Sequence, residues 1–156
     1  AFVGGGPSIQ QTVDRLGGVR QEMLNFPKAR LSVFETSEMN VLAGRKVGIE
    51  IGKLPATERP DGVFCANDLV AVGVMQALLF ENSIKVPEQI AMIGYDDIDF
   101  AQSTIVPLSS VRQPSHLLGS SAVELLISEL QDVDHVHRQI TFQPEIVIRE
   151  SSLRTK

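Results

Sequence analysis

Two hydrophobic periods alternate along this chain. Short runs dense in apolar residues give way to longer stretches with apolar residues three or four apart, the pattern of strands alternating with helices around a parallel sheet. "AFVG" opens as a strand, and the segment from Ile9 to Phe26 sets Ile9, Val13, Leu16, Met23 and Leu24 on one helical stripe, with Ser8 placed to cap its first turn. "LSVFE" (31–35) predicts the next strand and Val41 to Leu54 the next helix, which the loop "PATERPDG" ends. The alternation then repeats: "VFCA" (63–66) as strand, Asp68 to Glu81 as helix, "IAMIGY" (90–95) as strand, then a long loop. "SSVRQ" (109–113) predicts a further strand and Ser115 to about Gln131 a further helix. "QITFQPEIVIRE" differs, because apolar and polar residues alternate on both sides of Pro144, so it reads as edge or antiparallel strand.

This order says where a ligand belongs. Open α/β sheets bind outside the carboxyl ends of their strands, where strand gives way to helix. Three successive strand ends carry polar or glycine-rich residues: "GGGPS", Asn67 with Asp68, and Asp96 with Asp97. Asp68 reads first as the cap of its helix. That leaves the Asn67 amide, both donor and acceptor, to face a crevice.

Composition narrows the class. A chain of 156 residues with 43% apolar content can bury one core. Its apolar runs fall far short of the roughly 20 residues of a membrane span. A net charge of −5 leaves no clustered basic surface for nucleic acid. Cys65, the single cysteine, sits in a strand-like run and reads as a buried inert thiol.

Reactive chemistry finds no support. In G-x-G-x-x-G register Gly4 and Gly6 fit, but Ile9 stands in the third glycine's place and Glu35 lies too far on for a ribose carboxylate, so the glycines read as a tight turn. Asp132, Asp134, His135 and His137 could gather a metal, yet they form a polar connection with no second cluster, and a solvated loop is favoured. "YDDID" lacks the partner carboxyls and lysine of a phosphoacceptor site, and no G-x-S-x-G elbow or Cys–His pair is present. No cofactor is expected. What remains is a crevice of hydrogen-bonding groups suited to reversible binding of a small polar molecule.

"DRLGGVRQEM" (14–23), "RPDGVFCANDLVAVGVMQAL" (59–78), "VPEQIAMIGYDDIDFAQSTIVPLSSVRQP" (86–114) and "LGSSAVELLISEL" (118–130) follow one another as in the lac-repressor (LacI/GalR) family, and the chain resembles that family over nearly its whole length. The resemblance implies a periplasmic-binding-protein-like (type I) α/β fold, a parallel sheet flanked by helices, truncated at its N-terminus. Residues 1–108 would be most of the C-terminal effector-binding subdomain. Residues 109–138 would cross to the N-terminal subdomain, and 139–156 would return with an edge strand. It further implies a cytoplasmic homodimeric regulator, not an enzyme, that binds a sugar-like effector. Operator DNA would be held by a headpiece outside these residues.

Motif by motif, the resemblance matches Arg15 in "DRLGG", Asn67 in "CAND" and Asp96 in "GYDD" to the family's polar effector contacts. Where many relatives place an aromatic ahead of the second helix's glycine, this chain has Met39 before Gly44, which replaces ring stacking by a flexible contact. Val70, Val74, Ala77 and Leu78 on the helix after "CAND" are apolar enough for core alone or for core plus dimer interface. A periplasmic solute receptor of a transport system is the alternative, since it would share fold and crevice; the loop "YDDIDFAQSTIVPLSSVRQP" favours the regulator.

Overall fold

The computed structural model describes residues 1–131 and 136–154. Six strands form one sheet: β1 (Phe2–Gly5), β2 (Val33–Thr36), β3 (Gly62–Cys65), β4 (Ala91–Asp96), β5 (Ser109–Arg112) and β6 (Glu145–Val147). Their spatial order is β2-β1-β3-β4-β5-β6, parallel throughout except for antiparallel β6. The helices are α1 (Gln10–Met23), α2 (Val41–Lys53), α3 (Asp68–Gln76, continued by a π-helical turn Ala77–Glu81) and α4 (Ser115–Gln131).

The core lies between the sheet and α2 with α3. Val3, Val63, Cys65 and Met92 meet Val47, Ile51, Val70, Val74, Met75 and Leu78 in one buried cluster. Each such side chain contributes about 1.5–3 kcal/mol on burial. Phe2 and Phe64 lie outside that cluster and meet edge to face at 5.6 Å. Two glycines let α2 and α3 touch backbone to backbone: a Cβ on Gly44 would stand 2.2 Å from the Val70 carbonyl oxygen, and one on Gly73 2.0 Å from that of Val41. Cys65 is fully buried, and burial pushes its thiol far above the ordinary value, so the inert reading holds.

Several expectations need correction. Ser8 does not cap α1; Ile9 holds that position with no side-chain bond, and only Thr12 of the helix is buried, while of the predicted stripe Ile9, Leu16 and Met23 are partly buried and Val13 and Leu24 exposed. Strand structure around Pro144 is confined to Glu145–Val147. Ser109–Arg112, expected to leave for another subdomain, pairs in parallel with Ile93–Asp96 of β4. Its polar serines are no obstacle, because Ser109 and Ser110 are fully buried and hydrogen-bonded. Asp132, Asp134 and His135 fall outside the described residues, among which no group of three metal-ligating side chains occurs.

Candidate functional site

Because β1 to β5 are parallel, their carboxyl ends share one edge of the sheet, and the predicted polar residues collect there. Arg15 reaches this edge from α1. Its Nη1 donates to the Ala66 carbonyl at the end of β3, and its Nη2 lies 3.5 Å from Asp96 Oδ1 at the end of β4. Its guanidinium carbon sits 3.6 Å from the centre of the Tyr95 ring, a cation–π contact worth about 0.5–2 kcal/mol. With its side chain only 12% exposed, this arginine is held against the sheet edge and is not a solvated helix-face charge.

Asn67 is the cap of α3, the role expected of Asp68. Its Oδ1 accepts from the Val70 N–H at 2.8 Å and its Nδ2 donates to the Met39 carbonyl at 3.1 Å. One amide hydrogen and one lone pair remain for a ligand. Met39 joins through its sulfur as well, accepting from the Gly5 N–H at 3.0 Å. A Cβ on Gly5 would stand 2.6 Å from Ile9 Cδ1 and 3.2 Å from that sulfur, so glycine here serves close approach.

Asp68 is fully buried and points into the fold. Its carboxylate accepts from Ser110 Oγ at 2.6 Å and from the Ile98 N–H at 2.9 Å. Gly94 makes the room, since a Cβ there would lie 2.1 Å from Asp68 Oδ1. Burial raises the Asp68 pKa, hydrogen bonds from Ser110 and Ile98 lower it, and the nearby Asp96 and Asp97 charges raise it again; the net direction is upward.

Asp96 and Asp97 both stand in the left-handed region, at φ 101° and 51°. For residues other than glycine that costs about 1–3 kcal/mol each, so the surroundings must enforce it. Asp96 also accepts from Gln113 Nε2 at 2.9 Å. The Asp97 N–H donates to Ser110 Oγ at 3.0 Å. The Asp97 carboxylate, 4% exposed, accepts from Arg112 Nε and Arg149 Nη1, each at 2.6 Å. Burial pushes the Asp97 carboxyl up, but the bonds and charges of Arg149 and Arg112 outweigh it and hold the pKa below the ordinary value.

The geometry therefore brings together Arg15, Asn67, Asp96 and Met39, and adds Tyr95 and Gln113. It does not bring Val70, Val74, Ala77 and Leu78 to any surface: all four are 0% exposed, consumed by packing against α2 and the sheet, so the core reading accounts for them. Tyr95 and Gln113 were in reach of sequence reasoning, since each stands at the end of a predicted strand. Arg149, 52 residues from its partner Asp97, carries no local signal.

The model of the periplasmic binding protein-like domain matches residues 2–152. The chain belongs to that family. Its relatives include the HTH-type transcriptional repressor PurR of Vibrio parahaemolyticus, 43% identical over 100 residues that make up 64% of this chain and 30% of the relative. PurR of Vibrio cholerae is 34% identical over 146 residues, 88% of this chain and 40% of the relative. Among solved structures, a LacI family transcriptional regulator from Lactobacillus casei with bound sucrose superimposes with a TM-score of 0.82 at 31% identity, covering 97% of this chain and 56% of that one. The LacI-family resemblance of the motifs thus holds at the level of sequence and fold. This chain spans less than half the length of the two repressors. These relatives are transcriptional regulators, which favours that reading over a transport receptor.

Proposed function

We propose that this chain is the effector-sensing part of a DNA-binding transcriptional regulator, and that it binds a sugar or related small polar molecule at the carboxyl edge of its sheet. The observation that carries this is the convergence of Arg15, Asn67 and Asp96 from α1, β3 and β4 on one edge, with unspent donors and acceptors. The Arg15–Asp96 pair nearly cancels its own charge, which suits hydroxyl groups that both donate and accept. The sucrose held by the Lactobacillus casei relative supports the same ligand class. Met39 supplies an apolar wall beside them.

In this reading residues 1–108, with β5 and the returning segment from β6 onward, form one wall of a cleft. Helix α4 belongs to the second subdomain, consistent with its having no buried residue here. The effector bridges the two walls and shifts their closure, and so the spacing of DNA-binding heads held by a homodimer in the cytoplasm. A dimer contact would draw on exposed side chains such as Leu69, which is 41% exposed at the start of α3.

The test uses the full-length regulator and an operator-linked reporter screened against sugars. Arg15→Ala and Asp96→Ala should each weaken the response to the active sugar about 10- to 100-fold, the loss of one or two charged hydrogen bonds, while operator affinity is kept. An unchanged response would remove these residues from the site.

A further inference from the structure

Asp96 stands at the site, but nothing in its own contacts explains why its backbone holds φ 101°. The explanation lies one residue on. Asp97 joins three elements: its N–H is bound by Ser110 of β5, one carboxylate oxygen by Arg112 at the end of β5, and the other by Arg149 beyond β6. Arg149 is itself fixed. The same Nη1 donates to the Leu108 carbonyl at 2.7 Å, and the Arg149 N–H donates to Ser109 Oγ at 2.7 Å. Ser151, fully buried, donates from Oγ to the Met92 carbonyl and accepts from the Ser109 N–H, each at 2.8 Å, and so locks the segment carrying Arg149 to β4 and β5.

We propose that Asp97 and Arg149 are positioning residues for Asp96, and that the Arg112–Asp97–Arg149 clamp links this effector contact to both strands that flank α4. Arg112 ends the strand that leads into α4, and Arg149 follows the strand that comes back from it. Any movement of the Asp96 turn that a ligand imposes is therefore passed to the two connections of α4 through one shared carboxylate. The inference rests on Asp96 being an effector contact.

Tyr95 provides a readout that needs no effector. It is the only tyrosine of this chain, and there is no tryptophan, so the intrinsic fluorescence of this chain reports from beneath Arg15 and next to Asp96. If the clamp sets the Asp96 turn, Arg149→Met and Asp97→Asn should free Arg15 from its place over the ring and raise the acrylamide quenching constant of Tyr95 about twofold. Arg149→Lys, which keeps charge but not the fork, should give an intermediate rise. Arg45→Met, which breaks the exposed Arg45–Glu81 pair elsewhere, should leave quenching unchanged. Thermal melts run alongside separate positioning from stability. A lowered melting temperature with quenching as in the parent would overturn the proposal. Should Arg149→Met fail to fold, the same comparison is made with Arg112→Met and Arg149→Lys, and unchanged quenching in both has the same meaning. Loss of sugar response in the reporter assay, by contrast, bears only on the effector reading.

Discussion

Helices α3 and α4 both carry many apolar residues, yet they meet opposite fates. Of the nine residues of α3, seven are buried, while the 17 of α4 include none. Leu117, Val123, Leu126, Ile127 and Leu130 are all at least 46% exposed. Composition states a demand for burial, but whether it is met depends on what stands opposite. For α3 the partner is α2, brought to backbone contact by Gly44 and Gly73. For α4 no described element of this chain supplies one. The site lies on the satisfied side of this contrast: Asn67 caps the buried helix, and Asp68 begins it.

The sharpest way to break the comparison is to put the same methyl group on each helix. At Gly73 the new Cβ would stand 2.0 Å from the Val41 carbonyl oxygen and 2.6 Å from the Arg45 nitrogen, both backbone atoms that cannot step aside without parting the helices. Gly73→Ala should cost about 3 kcal/mol, the upper part of the usual overpacking range, read as a fall in the urea midpoint. A cost under about 1 kcal/mol would show that the α2–α3 contact is looser than described.

A smaller effect is expected at the polar end of α3. Asp68→Ala would leave the Ile98 N–H and the Ser110 hydroxyl without their carboxylate, at about 2–3 kcal/mol. The pH dependence has a definite sign. The folded pKa of Asp68 is raised, so its protonated form stabilises the fold below the unfolded value near 3.9, and that contribution is lost as pH rises through the folded value. The deficit of Asp68→Ala, measured by urea unfolding, should therefore shrink between pH 4 and pH 8. A deficit that grows over this range would mean that the buried carboxylate prefers to be charged.

The same contrast shows what the sequence could and could not disclose. The alternation of periods located every strand but the extent of the last, because each strand run has its own local pattern. Asn67 and Asp96 were named from their places at strand ends and again by the family motifs, whereas Arg15 was named by the family motif alone. Their bonding followed from neither. That Asn67 and not Asp68 caps α3 depends on Gly94 opening space across the sheet for the aspartate, a contact 26 residues distant. Strand β5 was assigned elsewhere on the family resemblance alone; the partners that hold its serines here, Ser151, Arg149 and Asp68, lie about 40 residues away in either direction. Polar groups buried by long-range pairing leave no periodic trace, whereas apolar ones do.

Gly119 carries the mildest test and the one that reads α4 most directly. A Cβ there would meet nothing within 4 Å. In this chain Gly119→Ala should thus gain only intrinsic helix propensity, about 0.5–1 kcal/mol, seen as amide exchange in α4 slowed about two- to fivefold. Exchange in α3 should not change, because α4 shares no core with it. If, as proposed, this chain is part of a longer regulator whose second subdomain closes over α4, the expected sign differs: small residues on its face become points of close approach, and the same methyl group would destabilise. Gly73→Ala is costly in either setting, so a reversal confined to Gly119 would locate the missing partner of α4 outside this chain. A gain in both settings would place residue 119 on a solvent face and leave the covering of α4 to Leu126, Ile127 and Leu130.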